Sequence, residues 1–275
     1  MVVYTQVFCK PGVSKEALPK VNRSRNLIFL CLVVSGFVVY FFNMTGPLFW
    51  DDLDLVVNNP VVHSSGTHLN ALLLGDMLAG SGQVSNYYRP LLMATFAVNW
   101  SISGAAPWSY HLLSNSLHIA SAVILFLLFA RLLSGMPAEG RANQGPGRAG
   151  MLMAGLASFF WLVHPVQPEA VAYIAGRGDP LAALFMFASL YLWLRAEGVI
   201  APLDGASPRP ALWRGWSVLA AILALASRET SVLLPAYLVL LMMVFQYCDP
   251  FWLSLKQSLL RAWPIILLSL IYIVL

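Results

Sequence analysis

The sequence predicts an all-α polytopic membrane protein of about seven spans, with a large first external loop carrying helices that lie on the membrane. Three observations predict it. Of 275 residues, 59% are hydrophobic and 10% are charged, with a mean hydropathy of +0.73, whereas soluble domains carry roughly a quarter charged residues. Apolar runs recur near 27–45, 109–133, 150–164, 180–196, 213–227, 230–246 and 262–275. The basic residues, finally, fall mostly on alternate connections between those runs.

Taken in order, residues 1–26 form a cytoplasmic arm with Lys10, Lys15, Lys20, Arg23 and Arg25. The run 27–45 reads as a retained anchor, because no small-residue cleavage site follows it. Residues 46–108 form the external loop, and the whole of 27–275 forms one transmembrane domain. Within the loop, Pro90–Gly104 is apolar but short, and carries Thr95, Asn99, Ser101 and Ser103. Charge decides its place. If it lies along the surface, thirteen of the sixteen Lys and Arg are inside, and only Arg89, Arg177 and Arg228 are outside. If it spans, seven are inside and nine outside, against the positive-inside rule. It therefore reads as an interfacial helix started by Pro90. The Gly- and Pro-rich loops 134–150 and 198–212 read as flexible cytoplasmic connections. The last run ends at Leu275 without a polar flank, so the domain is expected to be incomplete at its C-terminus.

The net charge of +4 is confined to a few loops and gives no nucleic-acid footprint. None of Cys9, Cys31 and Cys248 falls in an external segment, so no disulfide is expected. The five histidines lack zinc-site spacing. His111 and His118 share a helix face and read as packing residues.

With this topology the outer face collects Asp51, Asp52, Asp54, Tyr87, Tyr88, Arg89, His164, Glu169, Arg177, Asp179, Arg228 and Glu229. Each motif has a plain structural reading. The prolines of His164-Pro165-Val166-Gln167-Pro168-Glu169 can punctuate a helix. Asp179 is placed to cap the next helix, and Arg228-Glu229 can be a turn between two others. The Arg-Gly-Asp triplet at 177–179 is read as coincidence. In combination they can do chemistry. External arginines bind phosphate oxygens in a fork, and a carboxylate can take the proton of an attacking hydroxyl. An anionic phosphate leaving group needs surrounding positive charge more than a proton. A base and a cationic cradle are then enough for single-displacement sugar transfer.

The order Asp51-Asp52, Asn59-Pro60, Tyr88-Arg89-Pro90-Leu91, His111 and His118, His164-Pro165-Val166, Glu169 to Ala172, Gly176 to Asp179 and Ser227-Arg228-Glu229 resembles one group of C-class membrane glycosyltransferases. It is the transmembrane and tetratricopeptide-repeat O-mannosyltransferase-like family, distantly related to the protein O-mannosyltransferases. The resemblance runs over about 45–235. This chain departs from it at Gln167-Pro168, at Gly178 in place of alanine and at Arg228 in place of lysine. It implies a C-class (GT-C) transmembrane bundle, a polyprenyl-phosphate sugar donor, typically mannose, and an exported protein, lipid or glycan acceptor on the non-cytoplasmic side. By analogy Asp51 acts on the acceptor with Asp52 beside it. Arg89, Arg177 and Arg228 are the candidates for the donor phosphate, and Tyr88, His164, Glu169, Asp179 and Glu229 shape the site. No cofactor is expected; Asp51, Asp52 and Asp54 could hold a divalent metal, but the resemblance disfavours it. The short loops favour a bacterial cytoplasmic membrane over the endoplasmic reticulum. Two other readings stand beside the enzyme. One is a transporter or flippase of a lipid-linked sugar, which should place charge at mid-helix. The other is a truncated, non-catalytic polyprenyl-phosphate-binding protein.

Overall fold

A polar backbone in lipid must satisfy its own N–H and C=O groups, so each apolar run has the helix as its solution. The computed structural model describes residues 18–63, 77–79, 81–82, 85, 87–134, 148–198, 209–245 and 250–274, and every regular element among them is helical. In order these are α1 (Leu18–Val39), α2 (Pro60–His63), α3 (Pro90–Ser103), α4 (Trp108–Ser134), α5 (Arg148–Leu162), α6 (Gln167–Val171), α7 (Gly178–Ala196), α8 (Pro210–Leu225), α9 (Leu234–Phe245) and α10 (Phe251–Val274). Short 3-10 or π turns occupy 41–45, 53–57, 174–177 and 229–233. The arm before Leu18 and most of the two Gly- and Pro-rich loops lie outside the described residues.

Two helices, α4 and α10, are long and apolar enough to cross a bilayer, which with the composition marks a membrane protein. The apolar stretches Ser24–Val39, Arg148–Leu162, Pro210–Leu225 and Glu229–Val244 are shorter, reaching about 24 Å or less against a hydrocarbon core of about 30 Å.

Helix α1 starts at Leu18, inside the expected 1–26 arm, and two further expected boundaries move, each for a polar reason. The first run breaks at Tyr40, where the Asn115 amide donates to the Tyr40 carbonyl at 3.1 Å. Asn43 and Asn115 exchange a pair of 3.0 Å amide hydrogen bonds in the 3-10 turn that follows. The last helix begins at Phe251 rather than near 262 and runs through Lys256, Arg261 and Pro264. Arg261 can sit inside it because its guanidinium reaches Glu197 at 2.6 Å. Arg214 binds the same carboxylate at 2.7 Å, and the Glu197 side chain is buried.

Helix α4 is the hub. On one side α1 and α5 pack against it through Leu32, Ile119, Phe126, Met151 and Leu162. The contact is close: a Cβ at Gly36 would lie 2.5 Å from Ile119 Cγ1. On the other side α7 leads to α8, with Ser189 and Ser217 hydrogen-bonded to each other and to each other's carbonyls. Together with α9 and α10 they close a second core around Trp193, Leu194, Leu238, Met242 and Ile265. A third core joins α2, α3, the start of α4 and the 174–177 turn through Val56, Val62, Leu92, Phe96, Tyr110 and Ile174. Helix α3 begins with Pro90 as the sequence predicts and ends at Ser103. Its Thr95 and Asn99 turn inward, and what they meet defines the site.

Candidate functional site

Arg177 ends the 3-10 turn 174–177 and is fully buried. Its Nε donates to Ser114 Oγ at 3.1 Å, and Nη1 to Thr95 Oγ1 at 3.1 Å and Asn99 Oδ1 at 2.7 Å. Its Nη2 donates to the Tyr110 carbonyl at 3.0 Å. The rings of Phe96 and Tyr110 flank it, with centroids 4.8 and 5.6 Å from Cζ. An Arg fork has five N–H donors, and four hydrogen bonds here go to neutral oxygens of α3 and α4. Arg177, expected among the candidates for the donor phosphate, is held by protein oxygens in this structure. It ties α3 and the start of α4 to the 174–177 turn, with four of its five donors engaged in a closed pocket.

The two leading aspartates also divide. Asp52 is fully buried. Its Oδ1 accepts the Ala175 N–H at 2.7 Å and its Oδ2 accepts the Phe49 N–H at 3.2 Å. Burial raises its pKa above the usual carboxylate value against the pull of those two N–H groups. It fastens the 49–52 turn to the turn that carries Arg177. Asp51 is exposed, and its backbone N–H donates to the Tyr173 hydroxyl at 3.3 Å. Burial first, and then hydrogen bonding to the Asp51 carboxylate, pushes the Tyr173 phenol up to about 12. Tyr173 thus stays neutral beside Asp51 at physiological pH. Among the described residues no three His, Cys, Asp or Glu side chains converge into a cluster able to hold a metal ion.

The turn that separates the two aspartates runs through Trp50, whose φ is +50°. This is the one described non-glycine residue in the left-handed region, a conformation that costs an L-residue about 1–2 kcal/mol and is unusual for a bulky one. The Trp50 side chain is 79% exposed.

The remaining arginines are paired. Arg89, just before α3, grips Glu229 with Nε at 2.8 Å and Nη2 at 2.6 Å, and lies 4.7 Å from the Tyr87 ring centroid. Arg228 forms an ion pair with Asp179 through Nη1, while its buried Nε lacks a hydrogen-bond partner among the described residues. The cradle that sequence reading made cationic is therefore neutralised by two carboxylates of the same motifs. Asp179 is not the α7 cap either: α7 starts at Gly178, so Asp179 sits in its first turn, facing Arg228. A Cβ at Gly178 would lie 3.3 Å from the Ser227 carbonyl, which brings the two charged motifs close at a residue that departs from the family's alanine.

Asp179 also lines a cavity of about 730 Å³ between α4, α5, α7 and α9. Gln167, Asp179 and Thr230, each at the beginning of its element, form a polar end; Leu128, Phe187, Leu190 and Leu240 are among its apolar walls. Glu169 and His164 are exposed, the latter accepting the Val166 N–H at 3.2 Å on Nδ1. The Tyr88 carbonyl accepts the Tyr272 hydroxyl at 3.1 Å. His111 and His118 are buried and bonded through Nε2 to the Gly46 and Leu162 carbonyls, in keeping with a packing role. Sequence reading missed Tyr173, Trp50 and the Arg177 partners Thr95, Asn99 and Ser114. The polar residues of α3 were a signal: in a short apolar helix they needed a buried partner.

No family model matches the chain, and no solved structure matches it. Among curated proteins, Protein O-mannosyl-transferase Tmtc3 of Drosophila melanogaster is 29% identical over 199 residues, covering 69% of this chain and 21% of that protein. Protein O-mannosyl-transferase TMTC4 of Homo sapiens is 33% identical over 174 residues, 60% of this chain and 23% of that protein. Protein O-mannosyl-transferase TMTC2 of Homo sapiens is 38% identical over 121 residues, 44% of this chain and 13% of that protein. The chain spans less than a quarter of the length of these relatives. All three come from animals, which points away from the expected bacterial membrane and towards the endoplasmic reticulum. The short loops behind that expectation follow from helix packing and carry no mark of the membrane that holds them.

Proposed function

For this relative of the TMTC protein O-mannosyl-transferases, we propose transfer of a mannosyl group from a polyprenyl-phosphate donor to a hydroxyl of a protein, on the lumenal face of the endoplasmic reticulum. The observation that carries the reading is the joining of a charged rim to an apolar cavity at one residue, Asp179, which lines the cavity and pairs with Arg228. Such a site suits a ligand with a phosphate at one end and a hydrocarbon chain at the other. Arg228 and Arg89 receive the phosphate, and the unpartnered Arg228 Nε is a donor an anionic oxygen would satisfy. Asp179 and Glu229 hold the two guanidinium groups until the donor arrives. Tyr88, Glu169 and His164 complete the rim from the adjoining loops. The GT-C arrangement of about seven spans belongs to the same proposal.

Asp51 is the base. It is exposed and borders the 173–179 segment that ends at the rim, its backbone N–H held by the Tyr173 hydroxyl. The acceptor oxygen forms its bond to the sugar's anomeric carbon as the bond from that carbon to the phosphate oxygen breaks. The hydroxyl proton passes to the Asp51 carboxylate, and the bonding electrons leave with polyprenyl phosphate. Asp52 positions this base through its two backbone hydrogen bonds and does not touch the substrate.

The test is transfer from radiolabelled polyprenyl-phosphate mannose in membranes containing the chain. Asp51→Asn should lower turnover at least ~100-fold, the scale of a lost general base, with donor binding unchanged. Equal turnover in both proteins would remove Asp51 from the mechanism. Donor binding without any turnover in the wild type would instead identify a lipid-phosphate-binding protein.

A further inference from the structure

Trp50 holds a left-handed backbone with its side chain in the open. The turn itself has a clear purpose. It lets the Asp52 N–H reach the Phe49 carbonyl at 3.1 Å and the Asp52 carboxylate fold back to the Phe49 N–H, so that Asp51 meets Tyr173 and Asp52 enters the core. Glycine would make that turn without strain, and asparagine with little. A tryptophan there is therefore not chosen for its backbone, and at 79% exposure it is not chosen for the core.

The ring is coupled to the reacting end. Trp50 lies edge-on to Phe49, with centroids 5.9 Å apart, and Phe49 lies over Tyr173 at 5.2 Å. Tyr173 in turn contacts Asp51. Phe41 and Phe42, also exposed, follow the first apolar run directly and offer apolar surface of their own. A rigid, amphipathic indole next to a base is suited to hold an incoming polypeptide, since few exposed groups give as much contact area for as little lost freedom.

We propose that Trp50 is the acceptor platform: its indole packs against the polypeptide segment that presents its hydroxyl to Asp51. This rests on Asp51 as the base proposed above and adds the residue that positions the acceptor. The backbone strain fixes the platform relative to that base, because the same turn sets both.

The experiment measures mannosyl transfer from polyprenyl-phosphate mannose to a synthetic Ser- and Thr-rich peptide by the full chain in membranes. Trp50→Gly should raise the peptide KM about tenfold and leave the donor KM unchanged. Its thermal stability should be equal to wild type or higher, since glycine relieves the left-handed strain. Trp50→Phe should keep most of the peptide affinity. An unchanged peptide KM in Trp50→Gly would overturn the proposal, as would equal rises in both KM values. Unchanged KM values together with loss of tryptophan quenching by brominated phosphatidylcholine in Trp50→Phe would give the ring to the bilayer. Asp51→Asn run in parallel separates the two readings. Full activity there sinks the base and the platform with it, whereas an inactive Asp51→Asn beside an unaffected Trp50→Gly sinks the platform alone.

Discussion

Arg177 and the rim pair Arg89 and Arg228 carry the same charge on neighbouring motifs, yet they do opposite things. Arg177 is sealed among neutral oxygens and two aromatic rings. Arg89 and Arg228 lie on the partly exposed edge, each held by a carboxylate. A buried guanidinium is tolerable only when its N–H groups are met, and once they are met it has little left to offer a ligand. A rim guanidinium held by a carboxylate stays oriented and can exchange that partner for a phosphate. Position in the packing, and not residue type, separates a structural arginine from a candidate ligand.

The largest effect should come from breaking the sealed side. Arg177→Ala leaves Asn99 Oδ1 and the Tyr110 carbonyl without their donor and opens a void between Phe96 and Tyr110. We expect a loss of about 4 kcal/mol, at the upper end for single substitutions. Poor expression and early thermal unfolding in detergent would register it. A stable, well-expressed Arg177→Ala that fails only in donor binding would reverse the division drawn here.

A smaller effect is expected one step outward, at Asp52. Asp52→Asn keeps shape but replaces one accepting oxygen by an N–H donor, so either the Phe49 or the Ala175 N–H faces a donor. A cost of about 1–3 kcal/mol follows, with turnover lowered through misplacement of Asp51. Thermal unfolding and turnover measured on the same sample would check both parts, and an unchanged melting temperature would deny Asp52 its fastening role.

The smallest effect belongs to the rim. Burial alone would raise the Glu229 pKa, but the hydrogen bonds and charge of Arg89 prevail and hold it below the usual 4.5. A depressed carboxylate binds more protons unfolded than folded. Its contribution to stability is therefore present above about pH 4.5 and is lost as the pH falls through the lower folded value. The pair is partly exposed, so the contribution should be about 0.5 kcal/mol. Unfolding curves of wild type and Glu229→Gln should differ at neutral pH and merge in acid. A difference that persists in acid would place the stabilisation in packing instead of charge.

Much of the fold was legible because apolar runs and proline starts act locally. The helices α3, α4, α5, α7, α8 and α9 lie close to the runs that announced them, and Pro90 opens its helix as expected, whereas Pro210, read as part of a flexible loop, opens α8. The boundaries at Tyr40 and Phe251 were not legible. Each depends on a partner far along the chain, Asn115 for the first and Glu197 for the second. The site was legible as a set of motifs and illegible as a set of roles. The pairing of Arg89 with Glu229 spans 140 residues of sequence, and no local pattern reports it.

By itself the sequence determined a helical membrane protein, gathered its charged motifs at helix ends and carried the mannosyltransferase resemblance, because hydropathy and residue order are properties of the chain alone. Tertiary structure decided which aspartate is exposed, which arginine is sealed and where an apolar cavity meets the charged rim. Those are matters of solvent exposure and partnership, and exposure exists only once distant segments have packed.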